Sequence, residues 1–469
     1  MRGPGRPAIH PVAALAARQA RSDRPGNAVT DLVDQGDPER VRAERGLPRA
    51  AFDGMRTFYD QLDPGPRVCT GTACAFAGPP PPPGLATARC LGHCYAAPVR
   101  SPLPEEPIPR MSLASPPIVL RNLLGPRGDD YDLPDDGPAI LAAVSEAGLR
   151  GRGGAAYPTG AKWRSAALTP APDRFVVCNG DEGDPGSYTD RLLLEEDPHA
   201  VLAGMLAASR AIGATRGIVY LRAEYPVARR RMEEAIREAP LGTFQVSVVS
   251  GGGSYVCGEE TALLRSIEGL RGAPSPKPPY PAQIGLLGLP TVVQNVETLA
   301  IVPWVVQNRR VAGTKAVCLS GVVARPGLVE APLGTRISDL LAAVGGPAAG
   351  RVPRMALVGG PMGRVLPASA FDTALSFEAL PGMGHAGICV LDCTPGELTR
   401  HLMVFAADES CGNCAPCRIG TARLVRMRDR AALERLFDTL CTGSLCGFGL
   451  SVARPLRDLV AAFGDAVFA

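Results

Sequence analysis

The sequence predicts a multi-domain α/β protein. Three observations carry this. The chain has 469 residues, 46% of them hydrophobic, enough for several separate cores. Its middle alternates short β-rich runs with helix-patterned ones. Its fourteen cysteines include two regularly spaced groups, one towards each end, and in a reducing compartment such groups more often bind metal or do redox chemistry than form disulfides.

Residues 1–66 read as a leader and a small helical cap. The first 22 carry Arg2, Arg6, Arg18 and Arg21 without an acid, but they are rich in Pro and Gly and poor in Ser, which fits a disordered leader better than a transit peptide. Phe52, Met55, Phe58 and Tyr59 then recur at helical spacing. Residues 67–117 hold four cysteines, the proline run Pro79–Pro83 and a Pro-rich connector from Ser101 to Pro117.

From 118 to 310, β-rich runs (174–178, 217–221, 244–249) alternate with helical stretches such as 227–238, predicting a layered α/β domain. Residues 311–395 are richer in β signals and Gly/Pro turns, fitting a small mixed domain, and 396–469 read as helices carrying the second cysteine group. The net charge of +3 and the lack of a basic face interleaved with aromatics argue against nucleic acid. No apolar run reaches the roughly 20 residues a bilayer span requires; the best, Val201–Ala214, is broken by Ser209 and Arg210.

The strongest chemical signal is Cys411-x2-Cys414-x2-Cys417, a loop that can wrap one face of a metal cluster. Three thiolates from one loop and a fourth from elsewhere suit [4Fe–4S]. Cys446, flanked by glycines, is the candidate fourth ligand, with Cys441 as its rival and zinc as the alternative metal. Cys69-x4-Cys74 and Cys90-x3-Cys94 are two pairs suited to [2Fe–2S], against zinc or an empty, degenerate site.

Between these groups lie three glycine-rich segments. Gly151-Arg152-Gly153-Gly154, followed by Tyr157 and Lys162, frees backbone N–H groups for phosphate, with Lys162 and Arg152 as counter-charges; an ordinary turn is the plainer explanation. Asn179, Asp181, Glu182 and Asp184 cluster in a turn suited to sugar hydroxyls, unless they merely form a solvated acidic loop. Gly251 to Gly258, with Tyr255, leads into Glu259 and Glu260 at a helix start, where an anion or flavin edge fits, or where the acids are capping charge alone.

In this order, and followed by Glu409-Ser-Cys-Gly-Asn-Cys-Ala-Pro-Cys-Arg-Ile-Gly420, the segments resemble the NADH-binding flavoprotein subunit of respiratory complex I, shared with NAD-dependent formate dehydrogenases and NAD-reducing hydrogenases. The resemblance runs from about residue 118 to the end. It implies a Rossmann-like FMN/NADH domain (118–310), a ubiquitin-like β-grasp domain (311–395) and a helical [4Fe–4S] bundle (396–469). It also implies FMN held by Gly151, Gly153, Lys162, Asn179, Asp181, Tyr255, Gly258, Glu259, Glu260 and the segment containing Gln294, Asn295 and Thr298. NADH would stack over the flavin, with Tyr157 against adenine and Glu182, Asp184 and Glu260 as positioning acids.

The segment around Cys69, Cys74, Cys90 and Cys94 is similar to the thioredoxin-like [2Fe–2S] subunit, truncated and fused at the front. Ser165 stands where the family has a second adenine-stacking aromatic, and Gln294 where it has Asn.

The implied chemistry is hydride transfer from NAD(H) to FMN and one-electron transfer to the clusters, within a complex with other iron–sulfur and catalytic subunits. No Ser-His-Asp set is present or needed, and the five histidines lack metal-ligand spacing. The protein is expected in the cytoplasm or seated peripherally on the inner face of a membrane complex. A non-catalytic electron-transfer or scaffold subunit that has lost flavin or NADH binding is the alternative of another class.

Overall fold

The computed structural model describes residues 37–468 except 63–64, 83, 104–105 and 311–312, together with Val29, Asp31 and Leu32. The leader read from the first 22 residues lies outside this range. The cap is helix Arg49–Arg56, with Phe52 and Met55 turned inward.

After it, β1 (Arg67–Cys69) and β2 (Ala86–Ala88) form a two-stranded parallel sheet, with helix Thr72–Ala77 between them. The Pro-rich connector is more than a spacer. It contributes β3 (Arg110–Ser112), a proline-free edge strand of a larger sheet.

The predicted α/β alternation holds in the next segment. Strands β4 (Phe175–Gly180), β5 (Arg216–Leu221), β6 (Gln245–Ser250) and β7 (Thr291–Asn295) form an all-parallel sheet in the order β6-β5-β4-β7. Buried on both faces, β4, β5 and β7 alternate between two cores, while edge strand β6 is partly exposed. Val176, Cys178, Val219, Leu221 and Val292 face one core, which contains helices Pro198–Ile212 and Val296–Asn308. The apolar run Val201–Ala214 is therefore a core helix. Phe175, Val177, Ile218, Tyr220 and Val293 face the other core, covered by helix Glu260–Ile267 and by Phe52, Met55 and Tyr59 of the cap.

The mixed sheet that follows has β8 (Thr314–Gly321), β9 (Gly327–Pro332), β10 (Met355–Val358), β11 (Arg364–Pro367) and β12 (Gly387–Leu391), in the order β11-β10-β12-β8-β9-β3. A buried charge network joins the two sheets. Glu297 lies between Arg152 (3.0 Å) and Lys315, with all three side chains almost fully buried. The chain ends in helices, the first of which (Pro395–Asp408) opens on a capping box between Thr394 and Glu397. Among the described residues no helix is long and apolar enough to cross a membrane.

Candidate functional site

Strands β5 and β6 lie to one side of β4 and β7 to the other, so the winding reverses between β4 and β7. A parallel sheet opens a crevice beyond its strands' carboxyl ends at such a point. The sequence-predicted residues converge there. Asn179 lies at the end of β4, Asp181, Glu182 and Asp184 follow it, Gln294 and Asn295 finish β7, and Thr298 opens the next helix.

The glycine loop lies across these strand ends. Gly151 N–H donates to the Tyr157 carbonyl (2.9 Å) and Arg152 N–H to Thr298 Oγ1 (2.9 Å). A Cβ on Gly153 would stand 2.8 Å from the Asn295 Cβ, so only glycine allows the approach. Neighbouring Gly154 has φ +130°, a backbone angle that likewise favours glycine. Tyr157 leaves its ring 54% exposed at the rim. The Arg152 side chain turns inward to Glu297 and the Thr314 carbonyl, so its charge is committed to the joint between the sheets.

On the opposite wall Glu259 caps its helix, accepting from the N–H groups of Thr261 (2.9 Å) and Ala262 (3.0 Å). Lys162 Nζ lies 3.1 Å from Glu260 Oε2 and 3.1 Å from the Val293 carbonyl. Lys277, which no sequence motif marks, places Nζ 2.7 Å from Glu259 and 2.8 Å from Glu260. A lone lysine between prolines carries no signal of its own. Burial alone would raise the Glu260 carboxyl, but the two lysines hold it below the usual range.

Asn179 Nδ2 donates to the Gly258 carbonyl (3.0 Å), tying the walls together. Glu182 is fully buried and accepts from the N–H groups of Asp190 and Arg191 (3.1 Å each). Burial, with the nearby Asp190 charge, pushes it up to about 8, and burial pushes Asp181 up to about 7. Asp184 accepts from the Tyr255 hydroxyl (2.5 Å).

Two features test whether a flavin fits. Asp181 Oδ2 and Gln294 Oε1, on adjacent strand ends, are buried without a hydrogen-bond partner. Such atoms in a native fold await a donor, and the hydroxyls and ring N–H of a flavin nucleotide are donors. The glycine loop also brings bare backbone to the strand ends, as close approach to a phosphate or ring requires. The residues fit the group.

The C-terminal thiols gather in one place. Cys414 caps helix Ala415–Leu424, Cys417 lies in its first turn, and Cys446 caps helix Gly447–Ser451. Burial pushes Cys417 up to about 12, with Cys414, Cys446 and Cys411 close enough to add to the rise. Cys441 instead lies 3.9 Å from Arg457 Nη1. The Tyr255 ring packs edge-on against Phe448 (5.7 Å) and Phe405 (5.2 Å), so one aromatic side chain spans from Asp184 to the neighbourhood of Cys446.

The N-terminal four also meet. Cys90 and Cys94 Sγ are 3.5 Å apart, and Cys69 interacts with both Cys74 and Cys90. The neighbouring Cys90 thiol, and then burial, drive Cys94 well above the usual range. Gly186 N–H donates to Cys94 Sγ (3.2 Å), and Arg222 bridges the carbonyls of Cys90 and Glu182 (2.6 Å each), so this group abuts the acidic loop. Both sets consist of soft thiolates alone, which suits iron–sulfur clusters. Among the described residues no three His, Cys, Asp or Glu side chains converge as a single ion would require. In an iron–sulfur cluster each iron takes only one or two of the thiolates, the rest of its shell being sulfide, so three need not converge on one point.

Comparison with known proteins matches the segments that carry these residues. The family model described as the Nuo51 FMN-binding domain matches residues 144–304, the NADH-ubiquinone oxidoreductase-F iron-sulfur binding region 397–469, and the SLBB domain 316–366. The NADP-reducing hydrogenase subunit HndC of Solidesulfovibrio fructosivorans is 38% identical over 70% of this chain and 74% of its own. An NADH-quinone oxidoreductase subunit of Rhizobium meliloti is 39% identical over 72% of this chain and 88% of its own. A crystal structure of NAD+-reducing [NiFe]-hydrogenase in the H2-reduced state superposes with a TM-score of 0.81 at 32% identity, covering 97% of this chain and 93% of that one.

Fold and site thus define an FMN- and iron–sulfur-dependent oxidoreductase subunit. The chain belongs to the family of NADH-oxidising flavoprotein subunits found in NADH-quinone oxidoreductases and in the diaphorase parts of NAD-reducing hydrogenases.

Proposed function

We propose that this NADH-oxidising FMN/iron–sulfur subunit serves a hydrogenase-type NAD(P)-linked complex in the cytoplasm and carries two clusters. One observation carries the choice of complex. The NAD+-reducing hydrogenase structure superposes over 97% of the chain, which takes in the N-terminal cysteine module read as a truncated thioredoxin-like [2Fe–2S] segment. The domain limits read from sequence, with a Rossmann-like flavin domain and a β-grasp domain, belong to the same proposal.

When bound, FMN accepts two electrons as hydride and releases them singly, as one-electron clusters require. The residues have separate tasks. Gly151, Gly153 and Gly154 would offer backbone to the flavin nucleotide, with Lys162 and Lys277 as its cationic wall. Asn179, Asp181, Gln294, Asn295 and Thr298 would bind its hydroxyls and ring edge, and Tyr157 would cover the adenine of NADH. Tyr255, Gly258, Glu259 and Glu260 would form the opposite wall. Glu182 would hold the acidic loop by capping helix Thr189–Glu196, leaving Asp184 at the rim. Cys411, Cys414, Cys417 and Cys446 would ligate [4Fe–4S], and Cys69, Cys74, Cys90 and Cys94 [2Fe–2S].

Anaerobic expression of the full chain tests this. Flavin absorbance, iron for both clusters and NADH-dependent reduction of an artificial acceptor are expected. A preparation with iron but neither FMN nor NADH activity would sink the enzymatic reading in favour of a scaffold subunit. A lack of binuclear signal would remove the second cluster alone.

A further inference from the structure

His385 belongs to no motif, yet it sits where the two sheets meet the crevice. It is 9% exposed. Its Nδ1 lies 3.3 Å from Asp184 Oδ2 and its Nε2 3.4 Å from Asp190 Oδ2. The Asn295 amide lies 3.3 Å from Nε2 and donates to Asp190 Oδ2 at 2.6 Å. One imidazole from the mixed sheet thus contacts the acidic loop after β4, the start of helix Thr189–Glu196 and the end of β7.

The backbone around it is shaped for that contact. Gly384 (φ +57°) and Ala386 (φ +57°) flank His385 in left-handed conformations, and for alanine that is strained. A Cβ on Gly384 would lie 3.4 Å from Asp184 Oδ2, and one on Gly360 2.8 Å from Asp184 Oδ1. Two loops of the mixed sheet therefore close on the Asp184 carboxylate with bare backbone. Its other contacts are the Tyr255 hydroxyl on Oδ1 and the imidazole on Oδ2. Without His385, Asp184 keeps only the tyrosine, in a loop containing Gly183 and Gly186.

We propose that His385 is a positioning residue of the NADH/flavin site. Its imidazolium clamps the mixed sheet's loop onto Asp184 and Asp190 and so fixes the acidic rim against which the dinucleotide binds. The inference rests on the reading of the crevice as that site.

The charged groups facing His385 are Asp184 and Asp190 in contact, with Asp181 and Glu182 at longer range. Burial alone would lower the imidazole, but the hydrogen bonds and charges of Asp184 and Asp190 outweigh it and hold it well above the usual range. The clamp is therefore charged at neutral pH. Its contribution is complete below the unfolded histidine value and is lost as pH rises through the raised one.

The test compares anaerobically purified wild type, His385→Ala and His385→Gln. Losing a hydrogen bond to a charged group is expected to raise KM for NADH about tenfold while kcat changes less than about threefold, and to weaken FMN retention similarly. Glutamine, which keeps a donor, should recover part of the loss. Wild-type KM is expected to rise at alkaline pH as the imidazole loses its proton, and His385→Gln to lack that rise, a readout that a purely structural role would leave alone. An unchanged [4Fe–4S] spectrum and circular dichroism confirm folding. Should His385→Ala not fold, the KM of His385→Gln against pH decides. Variants matching wild type in KM, FMN retention and pH profile would overturn the proposal. A wild type that binds neither FMN nor NADH would instead overturn the reading of the site.

Discussion

Cys441 and Cys446 sit five residues apart, and sequence alone leaves either able to complete the cluster. Backbone geometry separates them. Cys441 lies within helix Arg430–Gly443, with its thiol towards Arg457, whereas Cys446 caps the next helix beside the Cys411–Cys417 loop. A thiolate at a helix N-terminus gains from unpaired N–H groups, as a cluster's negative charge does. Cys446→Ser is therefore expected to abolish the tetranuclear EPR signal, and Cys441→Ser to leave it intact. The reverse pattern would reassign the ligand.

The cap is the element whose role sequence patterning understated. Phe52, Met55 and Tyr59 cover one face of the parallel sheet, and the Tyr59 hydroxyl donates to the Leu270 carbonyl (2.7 Å). The chain after the cap pairs with the glycine loop ahead of Tyr255, with Asp60 N–H donating to the Gly253 carbonyl (3.0 Å) and Gln61 N–H to that of Gly252 (2.8 Å). The cap thus braces a loop of the crevice as well as filling a core. Phe52→Ala should cost about 3–5 kcal/mol, read as a lower urea midpoint at an unchanged m-value. A shift below about 1 kcal/mol would show that the cap is dispensable to that core.

At the scale of the whole molecule, burial around the crevice sets a pH dependence. Asp181 and Glu182, at about 7 and about 8, keep protons in the fold that they release when unfolded. His385 likewise holds its proton to higher pH in the fold. All three act in one direction. The folded state binds more protons over this range, so stability falls as pH rises from about 4.5 past about 8. Thermal melting of the flavin-free protein should drop by several degrees between about pH 6 and about pH 9, and Glu182→Gln should flatten the slope. A melting temperature that climbs over that range would contradict the buried-acid account.

Much of the site was legible because its chemistry is local. Three thiolates within one loop, a glycine run ahead of Lys162, and an Asn-Gly-Asp-Glu turn are each written in adjacent residues. The strands β4, β5 and β6 were legible because each is a short apolar run between turn residues. What escaped was non-local. Lys277 and His385 carry no motif and matter only through residues far away in sequence, and β3 hid inside a Pro-rich stretch because edge pairing is decided by its partner, β9.

The sequence by itself determined the class of chemistry, since spacing between neighbouring ligands survives any folding. The tertiary structure decided which side chains meet. It brought Cys446 rather than Cys441 beside the Cys411–Cys417 loop, Arg152 to the joint between sheets and His385 to the rim, because burial and long-range pairing are properties of the packed chain.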